Sequence, residues 1–342
     1  MCEMNPELSP ISEWRDVDEA TFRDRIVAQY RPAVLRGIVA QWPAVQHARD
    51  SAESLGRYLR AFDKGSAVDV LMMPPHVNGR LFYNDDMTGF NFSRIKASIG
   101  EVSDKLIRYS KFDNRPSLAA QSAPIAECLP GFETENRLPI LDPSVQPRIW
   151  LGSAITTPAH FDESNNVACV VSGRRRFTLF PPEQIANLYI GPLGHAPTGT
   201  PISLVSLANP DFKRFPRFRE ALAAALVAEL APGDAVYIPT LWWHHVESLG
   251  KYNMLVNYWW KGQVGAAAGD SALNCLLHCL LTLKHLPAEH RQVWKTVFDH
   301  YVFSANAQSV EHIPERVRGV LGEISPELAK QVKAFLVNQL QR

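Results

Sequence analysis

Residues 157–180 read TPAHFDESNNVACVVSGRRRFTLF, and a second informative stretch, IPTLWWHHV, occupies 238–246. Along a strand, side chains two apart share a face, so His160 and Asp162 can approach one ion together. A histidine from a distant strand, at 244 or 245, would complete a three-ligand face. Two histidines and one carboxylate on one face leave other positions open, the arrangement of non-haem Fe(II) oxygenases. His244 and His245 are neighbours and must face opposite ways, so the residues alone leave the choice between them open. Glu163 adjoins Asp162 and by the same rule points away from it. An isolated His-x-Asp is a common coincidence of loops; its pairing with the Trp-rich element is what carries weight.

Working outward, Ile149–Ile155, Val167–Val171, Arg176–Phe180, Ala235–Ile238 and Asn253–Trp260 are short apolar segments broken by Gly, Pro or Asn. Closely spaced short strands of this kind favour a barrel or jelly roll over a parallel α/β sheet. Upstream, Phe22, Ile26 and Tyr30 lie four apart and predict a helix over 18–30 that Pro32 ends. Strands are expected at 33–39, 68–73 and 80–83, and a second helix at 51–62. The Pro-, Asn- and Ser-rich residues 113–147 read as irregular connection, and the Ala/Leu-rich run at 216–230 as a helix. Beyond Gly269 the pattern is helical, at 270–285, 288–301, 314–322 and 326–340. Three regions follow: 1–147 as a support, 148–265 as the barrel, and 266–342 as a helical region.

Lys+Arg and Asp+Glu are both 35, so the chain lacks the basic excess of a dedicated nucleic-acid binder. The five cysteines are odd in number and scattered, which fits a reducing compartment rather than a disulfide framework. Met1–Pro6 lacks the basic-then-apolar pattern of a signal peptide, and no apolar run reaches the ~18 residues of a membrane span. A cytoplasmic protein without membrane attachment is expected. Cys275, His278, Cys279 and His285 invite a zinc reading, but the leucines around them at 273, 276, 277, 280, 281 and 283 explain them by packing.

Two blocks, TPAHFDESNNVACVVSGRRRFTLFPPEQIANLYIGPL (157–193) and PGDAVYIPTLWWHHVESLGKYNMLVNYWWKG (232–262), with NPDFKRFPRF (209–218) between them, resemble the JmjC family of the cupin superfamily. The likeness is greatest to the branch that contains the asparaginyl hydroxylase of hypoxia-inducible factor, and it runs from about Val34 to Gly262. It implies a mainly β double-stranded β-helix (a cupin/JmjC jelly roll) with flanking helices and a C-terminal helical region. It implies Fe(II) held by His160, Asp162 and His244, since the family's ligand directly follows the Trp pair, and 2-oxoglutarate as co-substrate. Thr157, Asn166, Arg175 and Asn257 would surround that co-substrate, with Tyr237 and Trp259 as candidates for a substrate channel. Two departures stand out: Arg175 replaces a lysine, and Ala119 lies where relatives tend to carry a tyrosine. Arginine can grip a carboxylate with two parallel bonds, but in a geometry lysine does not share.

The implied reaction is oxidative decarboxylation of 2-oxoglutarate coupled to hydroxylation of a C–H bond, with a protein or peptide as the expected partner. Hydroxylation of a modified RNA nucleoside and demethylation are the enzymatic alternatives. A non-catalytic, ligand-binding cupin is the alternative from another class. The resemblance also implies a homodimer through the C-terminal helices, whose residues 270–285 carry leucine on more than one face and need covering.

Overall fold

In the computed structural model, every residue of the strand Asn165–Ser172 is buried. Its alternate side chains serve two different cores. Val167, Cys169 and Val171 join one apolar cluster, while Ala168 and Val170 join another. A strand covered on both faces reads as a continuous apolar run, which VACVV is. The structure describes residues 8–261, 271–304 and 310–341; Met1–Pro6 and the helical start at Gly269 lie outside them.

Among the described residues fourteen strands form two sheets. In chain order they are β1 (Ser9–Pro10), β2 (Ser12–Trp14), β3 (Ala33–Leu35), β4 (Val68–Met73), β5 (Ser93–Ala97), β6 (Ser117–Pro124) and β7 (Pro147–Gly152). The rest are β8 (Thr156–His160), β9 (Asn165–Ser172), β10 (Arg175–Phe180), β11 (Leu226–Leu230), β12 (Ala235–Ile238), β13 (Trp243–Ser248) and β14 (Asn253–Trp260). One sheet has the order β1-β11-β10-β13-β8, the other β2-β3-β12-β9-β14-β7-β6-β4-β5. Phe177, Leu179, Val236, Ile238 and Leu255 pack between them with Ala168 and Val170. The outer face of the larger sheet is covered by helices Pro43–Asp50, Ala52–Phe62 and Ile99–Tyr109, which contribute Val45, Leu55, Leu59, Ile99 and Leu106 to the other cluster. Two packed sheets with flanking helices make the double-stranded β-helix that the resemblance implied.

Several local expectations change. Residues 113–147 are not a plain connection: they contain β6 and the short helices Ile125–Cys128 and Phe132–Glu135. The helix expected over 216–230 ends at Ala223, and Leu226–Leu230 is a strand pairing with β10. Helix propensity is a weak preference there, and a partner strand with open hydrogen-bonding groups outweighs it. Residues 80–83 make only isolated bridges, Arg80 to Thr156 and Tyr83 to Phe90. Residues 314–322 form two short 3₁₀ turns rather than a helix.

Two compact units divide the chain, Met1–Trp260 and Lys261–Arg342. In the second, the helices Ala272–Thr282 and Ala288–Phe298 line an apolar groove of about 870 Å³, with Leu276, Leu280, Trp294 and Phe298 among its walls. Leu281 and Phe303 are each 77% exposed. No helix among the described residues is long and apolar enough to cross a membrane.

The turn from β9 to β10 sets where Arg175 starts, and Gly173 makes it with φ +74°. A Cβ there would run into the carboxamide of Asn253, which is fully buried and donates to the carbonyls of Ser153 (3.1 Å) and Gly250 (2.6 Å). Gly173→Ala should therefore lower stability by about 1–3 kcal/mol, read as an earlier urea midpoint at unchanged slope. An unmoved midpoint would show that the turn tolerates a side chain.

Candidate metal centre

Strand alternation selects the side chains that face the space between the sheets. β10 sends in Arg175, Phe177 and Leu179, and β12 sends in Val236 and Ile238; β13 contributes His244, Val246 and Ser248. Antiparallel pairing places His244 of β13 opposite His160 of β8. The register then slips, because Val246 pairs with Thr157, so β8 spends three residues where β13 spends two. That bulge lets Thr157 and His160 both face inward although they are three apart. Asp162 lies just beyond the end of β8, and its backbone carbonyl accepts from Leu241 N–H at 2.9 Å. Leu241 has φ +63° and turns the chain into Trp242-Trp243-His244.

The side chains of His160, Asp162 and His244 converge, with candidate ligand atoms all within 4.8 Å of one another. His244 Nε2 lies 3.6 Å from Asp162 Oδ2, and the two imidazole centroids are 4.2 Å apart. Each imidazole has its Nδ1 against a backbone carbonyl, Pro158 at 2.9 Å for His160 and Trp242 at 3.0 Å for His244. A proton on Nδ1 leaves Nε2 as a lone-pair donor aimed at the common point, the orientation seen in metal-binding histidines. Burial and the neighbouring His244 hold the His160 imidazole below its usual titration range, so it stays neutral and able to ligate. Among the described residues this is the one cluster of three or more such groups. Cys275 and Cys279 fall outside it.

A hydrogen-bonded relay supports the carboxylate. Trp150 Nε1 donates to Asn257 Oδ1 at 2.8 Å, Asn257 Nδ2 to Asn166 Oδ1 at 3.5 Å, and Asn166 Nδ2 to Asp162 Oδ2 at 3.5 Å. The triad opens into a cavity of about 100 Å³ whose walls include Thr157, Asn166, Arg175, Asn257 and Trp259. Arg175 is only 8% exposed and makes neither a hydrogen bond nor an ion pair among the described residues; its Nε is buried without a partner. Burial pulls its guanidinium down to about 10, still protonated at neutral pH. A buried cation without a counter-charge is costly, so the chemistry of this wall calls for an anion.

Two expected residues lie elsewhere. Tyr237 does not line the cavity: as the odd member of β12 it faces the outer core, fully buried, and its hydroxyl donates to Asn165 Oδ1 at 2.9 Å. Ala119 lies beside the site rather than on the cavity wall, in a small cluster with Leu71 and Ile155. His245 points away from the triad, paired with Thr178, and burial beside Arg80 pushes its imidazole down to about 3. Wall residues missed by sequence reading are Gln121, Trp150 and Thr198. Gln121 was hidden because its strand was read as connection, whereas Trp150 could have been found from the parity of β7. Outside the triad cavity, Gln121, Trp150, Thr198 and Trp259 also border a wider cleft of about 490 Å³ that reaches Asp69, Arg94, Lys96, Glu127 and Arg148.

The cupin-like domain matches residues 19–265. The chain is a JmjC-type member of the cupin-like family. The human HSPB1-associated protein 1 is 34% identical over 146 residues, 42% of this chain and 29% of that protein. Lysine-specific demethylase 8 of Xenopus tropicalis is 25% identical over 252 residues, covering 70% of the chain and 50% of the relative. The tRNA wybutosine-synthesizing protein 5 of Gallus gallus is 30% identical over 148 residues, 40% of the chain and 43% of the relative. The chain thus spans half or less of the curated relatives it matches. The names of these relatives point to different substrates, a lysine-specific demethylase and a tRNA wybutosine-synthesizing protein among them.

Replacing His160, Asp162 or His244 with Ala should each abolish one-to-one binding of a divalent metal in calorimetry. His245→Ala should leave that binding within a few-fold of the native protein. The reverse pattern, loss with His245→Ala and retention with His244→Ala, would exchange the two assignments.

Proposed function

We propose that this JmjC-type cupin is an Fe(II)- and 2-oxoglutarate-dependent oxygenase that hydroxylates a C–H bond of a protein side chain. The observation that carries the reading is the buried, unpaired guanidinium of Arg175 in the same cavity as the His160–Asp162–His244 triad. A metal site alone would not need it. A small acid that chelates a metal at one end and carries a carboxylate at the other satisfies both.

When bound, Fe(II) and 2-oxoglutarate would let dioxygen act as the oxidant, one oxygen atom going into the C–H bond and the other into the acid, which loses carbon dioxide and becomes succinate. The protein's part is positional. His160 and His244 present Nε2, and the Trp150–Asn257–Asn166 relay holds Asp162 in place. Arg175 and Thr157 bind the far carboxylate, and Asn166 and Asn257 flank its chelating end. Trp150 and Trp259, edge to face at 6.1 Å, wall the cavity toward the cleft and exclude water.

A protein substrate fits the cleft better than RNA does, because Asp69 and Glu127 share it with Arg94, Lys96 and Arg148, and Lys96 pairs with Asp69 at 3.0 Å. A phosphate backbone favours uninterrupted positive charge. A second copy of the chain is proposed to cover the C-terminal helices, where Trp294 and Phe303 line one apolar groove and Leu281 is exposed as well.

The iron-loaded protein should convert 2-oxoglutarate to succinate, slowly without a second substrate. Arg175→Ala should weaken the acid by about 2–5 kcal/mol while metal binding persists. Unchanged affinity in that variant would remove Arg175 from the reading; metal binding without any succinate would favour a ligand-binding cupin. Peptides and RNA incubated with the protein can be compared by mass spectrometry for a gain of one oxygen, and the gain is expected in peptide. Light scattering at micromolar concentration should give twice the chain mass, and Leu281→Arg should halve it. A native monomer would refute the dimer.

A further inference from the structure

Along β6, Leu118 and Ala120 point to the outer core, so Ala119 and Gln121 face the interior of the fold. A methyl group at Ala119 leaves room, and next to it lies a chamber of about 30 Å³. Gln121, Thr157, Arg175 and Ser248 border this chamber, and the first three also wall the triad cavity of about 100 Å³. The chamber is therefore a side room of the metal site, opening on the far side of the co-substrate cavity. Its polar groups are idle. Among the described residues neither the hydroxyls of Thr157 and Ser248 nor the carboxamide of Gln121 makes a hydrogen bond, and the Arg175 guanidinium makes none. Arg175 Nε is buried there without a partner, and a buried polar group in that state calls for an occupant.

One water would fit by volume, since a water takes ~30 Å³ in the liquid. Water would serve beside a five-carbon acid that meets the Arg175 charge from the triad cavity, but it brings no anion to Ser248 and Gln121. A carboxylate compensates that charge and accepts from Ser248 and Gln121 as well. We propose that the site takes 2-oxo dicarboxylic acids longer than 2-oxoglutarate, with the six-carbon 2-oxoadipate seated so that its far carboxylate enters the chamber beside Ala119. Ser248 and Gln121 are then the residues that select chain length. This rests on the oxo-acid reading of the triad cavity and specifies which acid it prefers.

The test is calorimetric titration of the Mn(II)-loaded full chain with 2-oxoglutarate and 2-oxoadipate, which reads binding without turnover. The native protein should bind the six-carbon acid at least as tightly as the five-carbon one. Ala119→Leu fills the chamber and should weaken 2-oxoadipate about tenfold or more, the scale on which one methylene is discriminated, with 2-oxoglutarate within about twofold. Ser248→Ala removes a single oxygen, keeps the fold if the leucine variant does not, and should give the same split at about tenfold, the worth of one hydrogen bond to a charged group. A tenfold native preference for 2-oxoglutarate that Ser248→Ala leaves unaltered would overturn the inference and assign the chamber to a water. Failure of both acids to bind, with Mn(II) still held, would overturn the oxo-acid reading itself, so the two failures are distinguishable.

Discussion

The two-residue period of the barrel strands is the constraint on which the site depends. Between two packed sheets each strand must send one set of side chains inward and the other outward, and the inward sets fill one shared space. For most of its length that space is apolar, with Val170, Phe177, Leu179 and Leu255 closing it. Among the inward positions are also Asn166, Arg175, His244 and Asn257, and around them, with Phe177 and Leu255 among the walls, the packed core gives way to a cavity. No extra loop is needed to bring these groups together. One adjustment is the bulge where β8 meets β13, which adds Thr157 to the inward set without turning His160 away.

Polar groups at such a depth must be satisfied, and here they divide into two kinds. The Trp150–Asn257–Asn166–Asp162 relay and the carbonyls behind both imidazoles satisfy one another, which fixes the metal-facing atoms before any ion arrives. Among the described residues the side chains of Arg175, Gln121, Thr157 and Ser248 make no hydrogen bond, and Arg175 Nε is buried. A folded protein tolerates a buried guanidinium in that state at a cost to its own stability, and a bound carboxylate recovers that cost as affinity. Trp150 and Trp259 line this cavity as well as the cleft beside it, and where the surroundings are apolar a low dielectric strengthens charge interactions.

Much of this was legible in the chain. The His160-Phe161-Asp162 spacing, the distant Trp-Trp-His and the succession of short apolar segments pointed to a barrel or jelly roll with an iron-type triad. Parity showed that only one of His244 and His245 could join it, and the family resemblance, not parity, singled out His244 and the double-stranded β-helix. Parity also shows why Tyr237 was misplaced: next to Ile238, which faces the inner core, it must face the outer one. The 226–230 segment read as helix because Ala and Leu favour helices locally, whereas β10 offers it a partner that no local pattern reveals. The connection read over 113–147 hid β6 because its alanines carry no strong β signal.

The residues themselves therefore determined which candidate ligands exist and that His160 and Asp162 can lie on one face, because those properties depend on neighbours in the chain and on a fixed pleat. The choice of His244 and the role of Arg175 came from the family resemblance. Which side chains complete the cavity was decided only by the tertiary structure. Gln121, Trp150, Thr198 and Ser248 come from strands and loops far apart in the chain, and their meeting depends on sheet order and a register slip. The idle state of Arg175 belongs to the same category, because a missing partner is a fact about surroundings and cannot be read from a sequence.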